Sequence, residues 1–176
     1  MSATTLDQVL SQRREANQDI VNVDEPSVKL VIFELSQQRF AFHGERIREI
    51  LAQAEVFFLP GCPASLEGVI NVRGDIESVI RPHELLHLPA SDTDHHSSIL
   101  IGHTAGNDST NSMSSGIRVD RVIDVIDVPH SAIQPPPATL PEHMRVLVLG
   151  VLNFQDIPVA VLDLEQMFAD YARGLG

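Results

Sequence analysis

Tryptophan is absent from the 176 residues, tyrosine occurs once, and aromatics make up only 5%. Any core must therefore be built mainly from Val, Ile and Leu, and the 43% apolar content supplies enough of them. Cys62 is the only cysteine, which excludes an intramolecular disulfide, so nothing points to an oxidising compartment. Positive charge is scarce: 12 Lys and Arg stand against 24 Asp and Glu, a formal net charge of −12. Phosphate backbones and anionic lipid surfaces repel such a chain, so no nucleic-acid partner and no direct membrane insertion are expected. No stretch approaches the ~18 apolar residues of a membrane span, and the N-terminus lacks the apolar run of a signal peptide. The expectation is a cytoplasmic protein.

What is present is a series of short apolar stretches with regular punctuation. Residues 1–27 are polar and read as a tail, disordered or forming a short helix through Leu6, Val9 and Leu10. From residue 28 the texture changes, and 28–172 reads as the folded domain, in approximate halves 28–92 and 93–172. KLVIFEL (29–35) and QQRFAFH (37–43) form a hairpin, followed by RIREILAQ (46–53) and a Pro/Gly loop over 57–68. GVINVRG and ESVIRP are two strands turning at Gly74-Asp75, and HELLHL (83–88) is one helical turn bracketed by Pro82 and Pro89. A polar linker spans 90–98 and a strand 97–103, and residues 106–116 read as a mobile hairpin loop. A further strand covers 116–128, a Pro-rich loop 134–143, two strands 146–164, and a short helix 165–172. About ten short strands with few helices argue for a mainly β fold of barrels or sandwiches.

The chain also repeats itself. GVINVRGDIESVIRPHELL (68–86) aligns without a gap under GVLNFQDIPVAVLDLEQMF (150–168), matching Gly68 to Gly150, Asn71 to Asn153 and Val79 to Val161. Upstream, RIREIL (46–51) resembles RVIDVI (121–126), and a Pro-rich loop follows each. Two copies of one unit packed on one another are expected.

Three motifs invite chemistry. His83-Glu84-Leu85-Leu86-His87 has the spacing that places two imidazoles on one helix face around zinc, with Glu84 as general base. The helix is too short and Pro-bracketed for that role, and the second repeat has Glu165 and Gln166 where the first has His83 and Glu84. His95-His96 sits in a polar linker without fixed geometry. No metal, no other cofactor and no catalytic residue is therefore expected. Cys62 has no neighbouring cation to activate it and reads as an inert thiol. Arg73-Gly74-Asp75 is turn chemistry between strands, and as an adhesion signal a three-residue match is weak.

The order of motifs carries more. Ile47-Arg48-Glu49-Ile50, then Leu59-Pro60-Gly61 with Pro63, then Gly68 to Gly74, and later Gly116-Ile117-Arg118-Val119-Asp120-Arg121-Val122 appear in sequence. Together they cover about residues 28–168, and this run resembles the CheW family of bacterial chemotaxis coupling proteins. The resemblance implies two SH3-like five-stranded β-barrel subdomains sharing a core, with short helices. It implies a non-enzymatic adaptor joining the regulatory domain of a CheA-type histidine kinase to the cytoplasmic tips of methyl-accepting chemoreceptors, recruited to receptor arrays. It places the receptor site around Arg73, with Val72 and Gly74 beside it and Ile47, Glu49 and Ile50 nearby; the kinase contacts fall on other, unassigned edges. Glu49 and Glu67 are the candidate partners of Arg73 should it prove structural. One departure stands out: Ile80-Arg81-Pro82-His83 replaces the family's Asp-Leu-Arg stretch, while the second repeat keeps Asp163-Leu164. The alternatives are a specialised paralogue that docks a different partner and, from another class, the zinc peptidase.

Overall fold

The computed structural model describes residues 25–89, 97–104 and 112–174. The expected tail helix, most of the 90–98 linker with His95-His96, and residues 106–111 of the expected 106–116 loop lie outside the described residues. The strands are β1 (Ser27–Leu35), β2 (Gln38–His43), β3 (Ile47–Leu51), β4 (Leu66–Val72), β5 (Asp75–Ile80), β6 (Ser98–His103), β7 (Ser114–Val119), β8 (Arg121–Pro129), β9 (Val148–Phe154) and β10 (Ile157–Leu162). The helices are α1 (Pro82–Leu85), α2 (Glu142–Arg145) and α3 (Leu164–Gly174).

Two five-stranded sheets result, ordered β8-β1-β2-β10-β9 and β3-β6-β7-β5-β4. Each sheet draws strands from both halves of the chain, because the β1–β2 and β6–β7 hairpins insert between strands of the opposite half. The two orders correspond position by position under the sequence repeat, and each contains one parallel pairing, β2 with β10 or β5 with β7.

Burial shows that each sheet closes. Leu30, Ile32, Ala41, Leu152, Val159 and Val161 cluster with Ile123 and Phe154, so side chains from both edge strands of the first sheet share one interior. Ile70, Val79, Ile99 and Ile101 do the same in the second sheet with Leu51 and Val72. A third and larger core lies between the barrels. There Phe33, Phe40 and Phe42 meet Leu100 and Ile117 under Met167 and Phe168 of α3. The continuous apolar run of β1 follows from this arrangement, because Leu30 and Ile32 face the barrel interior while Val31, Phe33 and Leu35 face the shared core.

Both closures use the same device. Phe57 exchanges backbone hydrogen bonds with Val69 on β4 (2.8 and 2.9 Å), and Gln134 does so with Val151 on β9 (2.8 Å each way). The chain leaving each edge strand thus returns to the opposite edge and bridges it at one residue pair.

Several boundaries differ from the sequence reading. The run 116–128 is two strands in two sheets, broken at Asp120. Its N–H donates to the Glu34 carbonyl (3.0 Å), and its carboxylate accepts the Ser36 N–H (2.7 Å) and lies 3.1 Å from His83 Nε2. The expected 106–116 loop ends earlier. Ser114 and Ser115 belong to β7, where the fully buried Ser115 hydroxyl donates to the Ser78 carbonyl at 2.9 Å. The first of the two strands read over 146–164 starts only at Val148, after the single turn of α2.

The other crossing between sheets, from β2 to β3, runs through a 3-10 turn over Gly44–Arg46. His43 precedes it, and burial holds its imidazole below the usual histidine range, with Glu45 and Asp163 opposing and Arg46 and His130 reinforcing. In the unfolded chain His43 takes up its proton near pH ~6.5, before it does in the folded chain. Its contribution to stability is therefore complete above that pH and declines as the pH falls below it. Urea midpoints measured on either side should show a larger acid loss for wild type than for His43→Gln. Parallel profiles would show that His43 does not carry the dependence.

Candidate docking site

Pairing of Val72 with Asp75 leaves Arg73 and Gly74 as the two-residue connection of the β4–β5 hairpin. Their φ values are +53° and +93°, both left-handed, as a type I′ turn requires. The expected turn at Gly74-Asp75 is thus shifted by one residue: Asp75 already belongs to β5, and Arg73 stands at the tip. The Asn71 side chain fixes the turn by accepting the Gly74 N–H at 2.8 Å. The second copy makes the same turn with Gln155 and Asp156, at +53° and +62°. The hairpin therefore needs no cation at its tip.

Arg73 is 82% exposed, and its Nη2 lies 3.0 Å from Glu49 Oε1 on β3. β3 and β4 are opposite edges of the second sheet, so this ion pair reaches across the barrel seam. Of its two candidate carboxylates the structure selects Glu49; Glu67 is taken by Arg118. An exposed pair of this kind contributes ~0–1 kcal/mol.

The six expected site residues do not share one surface. Glu49 is half-buried beside Arg73, and Ile50 and Gly74 are exposed. Ile47 packs against the shared core and Val72 against the second barrel's interior, so these two hold the frame. Three side chains missed by the sequence reading join the exposed set. Ile76, paired with Asn71 beside the turn, is 67% exposed, and Phe57, bonded to β4, is 52% exposed. Phe58 follows at 75%. The signal was available as two consecutive Phe in a Pro/Gly loop, but a sequence cannot tell a core anchor from an exposed aromatic.

The HELLH stretch does not form a two-histidine face. α1 stops at Leu85, and His87 has a φ of +55°. His83 turns inward to Asp120, whereas the His87 ring stacks on His143 with centroids 4.2 Å apart. Among the described residues no group of three or more His, Cys, Asp or Glu is placed to hold a metal ion.

Residues 29–172 match the family model described as the CheW-like domain. The chain belongs to this family. CheW-like relatives are recognisable along most of its length. The chain is 26% identical over 147 residues to a chemotaxis protein CheW of Treponema pallidum, covering 84% of this chain and 85% of the relative. It is 27% identical over 143 residues to a probable chemotaxis protein CheW of Rhizobium etli, covering 81% and 88%. Among solved structures it is similar to the scaffolding protein TtCheW from Thermoanaerobacter tengcongensis. The TM-score is 0.68 at 25% identity, covering 79% of this chain and 90% of that one. The two CheW-like barrels described above are the fold that the resemblance implied.

Proposed function

We propose that this chain is a non-enzymatic scaffold that couples a CheA-type histidine kinase to the cytoplasmic tips of chemoreceptors, with Arg73 as an anchor of the receptor-docking surface. The domain proper spans 28–172, and the protein acts in the cytoplasm at receptor arrays. The observation that carries the reading is the hairpin tip. Arg73 is presented on an Asn71-braced turn that the second copy builds without a cation, and beyond its exposed pair with Glu49 its charge is open to a partner. Ile76, paired with Asn71 beside the turn, and Ile50, next to Glu49, are exposed apolar side chains, and an Arg with such neighbours is the composition of an interface anchor. Family membership and the relatives' names support the chemotaxis setting. Among the described residues no helix is long and apolar enough to cross a membrane, which accords with recruitment through partners. The inward turn of His83 and the stacked His87 leave the peptidase alternative without its metal-binding face.

Arg73→Asn is the test, because Asn tolerates the left-handed φ and keeps the turn intact. Stability should stay within about ±0.5 kcal/mol of wild type. Affinity for a receptor-tip fragment should drop by ~1–3 kcal/mol, while affinity for the kinase regulatory domain changes less. Wild type and variant titrating a receptor tip identically would remove Arg73 from the docking surface.

A further inference from the structure

The acidic excess of the chain makes one hollow conspicuous. About 390 Å³ in volume, it is lined by Ser27, Val28, Lys29, His43, Glu45 and His130. Four elements frame it: the start of β1, the end of β2, the 3-10 turn over Gly44–Arg46, and the 3-10 turn over His130–Ala132 that follows β8. That turn is pinned to the start of β1 by the His130 N–H donating to the Pro26 carbonyl (3.1 Å) and the Ser131 N–H to Glu25 Oε1 (3.0 Å).

Lys29 is the only lysine in the sequence. Its stem lies over Gly44, where a Cβ would come within 2.7 Å of the Lys29 Cγ. Arg46, Arg73, Arg118, Arg121 and Arg173 each hold a carboxylate; among the described residues Lys29 holds none. Its cross-strand neighbour is Asp127, and no ion pair forms between them. His43 and His130 are close enough for their charges to repel; among the described residues Glu45 is the one carboxylate of the lining, and Glu25 lies beside it, close enough to act on His130. With Lys29 and both imidazoles charged, three positive charges stand against Glu45 and Glu25. The Ser27 hydroxyl adds an uncharged donor.

We propose that this hollow binds a small tetrahedral dianion, a phosphate or phosphomonoester group, held by Lys29, His43 and His130 with Ser27 as a further donor. Ammonium and imidazolium act as compact point charges, so they hold a doubly charged phosphate-type oxyanion more strongly than a singly charged carboxylate. Binding favours the protonated form of His43, which burial otherwise disfavours, while Arg46 and His130 oppose and Glu45 and Asp163 assist its protonation. By linkage the site is tighter in acid. The proposal is independent of any receptor or kinase contact.

The test is an NMR titration of the full chain, following the imidazole resonances of His43 and His130. Sulfate is the first probe because its charge is fixed over the range used; phosphate, phosphoserine, acetate and chloride follow at matched ionic strength. At about pH 6, sulfate and phosphate should give saturable shifts that chloride and acetate do not reproduce, and the sulfate affinity should fall several-fold by about pH 7.5. Lys29→Gln, a change at an exposed position, should weaken binding about tenfold, and Lys29→Arg should restore part of it. Phosphoserine binding as tightly as phosphate would assign the site to phosphomonoesters; exclusion of phosphoserine would assign it to the free ion. Acetate matching sulfate, shifts that follow ionic strength alone, or shifts unchanged in Lys29→Gln would each mean an adventitious ion only and overturn the proposal.

Discussion

Replacing Glu67 by alanine is expected to destabilise the protein by about 3–5 kcal/mol, the cost of leaving a buried cation without its partner. Glu67 on β4 accepts two hydrogen bonds from Arg118 on β7, Nε to Oε2 and Nη2 to Oε1, both 2.9 Å. The side chains are 11% and 13% exposed, and β5 lies between their strands, so the fork spans the breadth of three strands. Among the described residues Arg118 has one other side-chain partner, the Ser97 hydroxyl at 3.3 Å, which cannot neutralise it. Urea unfolding should show a large drop in midpoint with the slope unchanged. The double change Glu67→Leu with Arg118→Met removes both charges and should recover most of the loss, because the penalty belongs to the orphaned ion. A single Glu67→Ala variant with the wild-type midpoint would mean that water reaches Arg118 freely.

Adding one methyl group at Gly68 should be nearly as damaging. A Cβ there would lie 2.2 Å from the Phe57 carbonyl oxygen and 2.9 Å from its carbon. Both are backbone atoms of the segment that closes the second barrel, so neither can swing aside. The φ of Gly68 is ordinary, so the requirement is room alone. Gly150 stands at the matching place in the first barrel, where a Cβ would meet Ile133 Cγ2 at 2.5 Å and the Gln134 carbonyl oxygen at 2.7 Å. Gly68→Ala should cost about 3 kcal/mol or more. Gly150→Ala should cost somewhat less, since the nearest atom there belongs to a side chain. Thermal or urea unfolding orders the two variants directly. A Gly68→Ala protein as stable as wild type would show that the Phe57–Val69 closure is loose.

Some of these features were open to inspection in the sequence. The repeat paired Gly68 with Gly150 in the sequence, but that a side chain at either would block the returning segment became visible only in the structure. The alternating apolar pattern gave the hairpins, and Arg73 stood out because its counterpart is Gln155. Other features were not legible. The apolar alternation runs through Asp120 without a Gly or Pro, so one strand and two strands in different sheets look the same from pattern alone. The exposure of Phe57 and Phe58 was hidden for a related reason, since burial depends on what lies opposite.

Periodicity and repetition determined that the protein is mainly β, that it is built from two related units, and that its tip hairpin carries an unmatched arginine. These are local properties, set by which residues tolerate an extended backbone, a left-handed turn or a missing side chain. Only the tertiary structure decided how the units combine. Each barrel takes strands from both halves, Arg73 meets Glu49 while Glu67 goes to Arg118, and His83 turns inward to Asp120 instead of outward to a metal. Pairings between charges far apart in the chain depend on strand order, and strand order is fixed by how the three cores fill together. No local stretch of sequence carries that information.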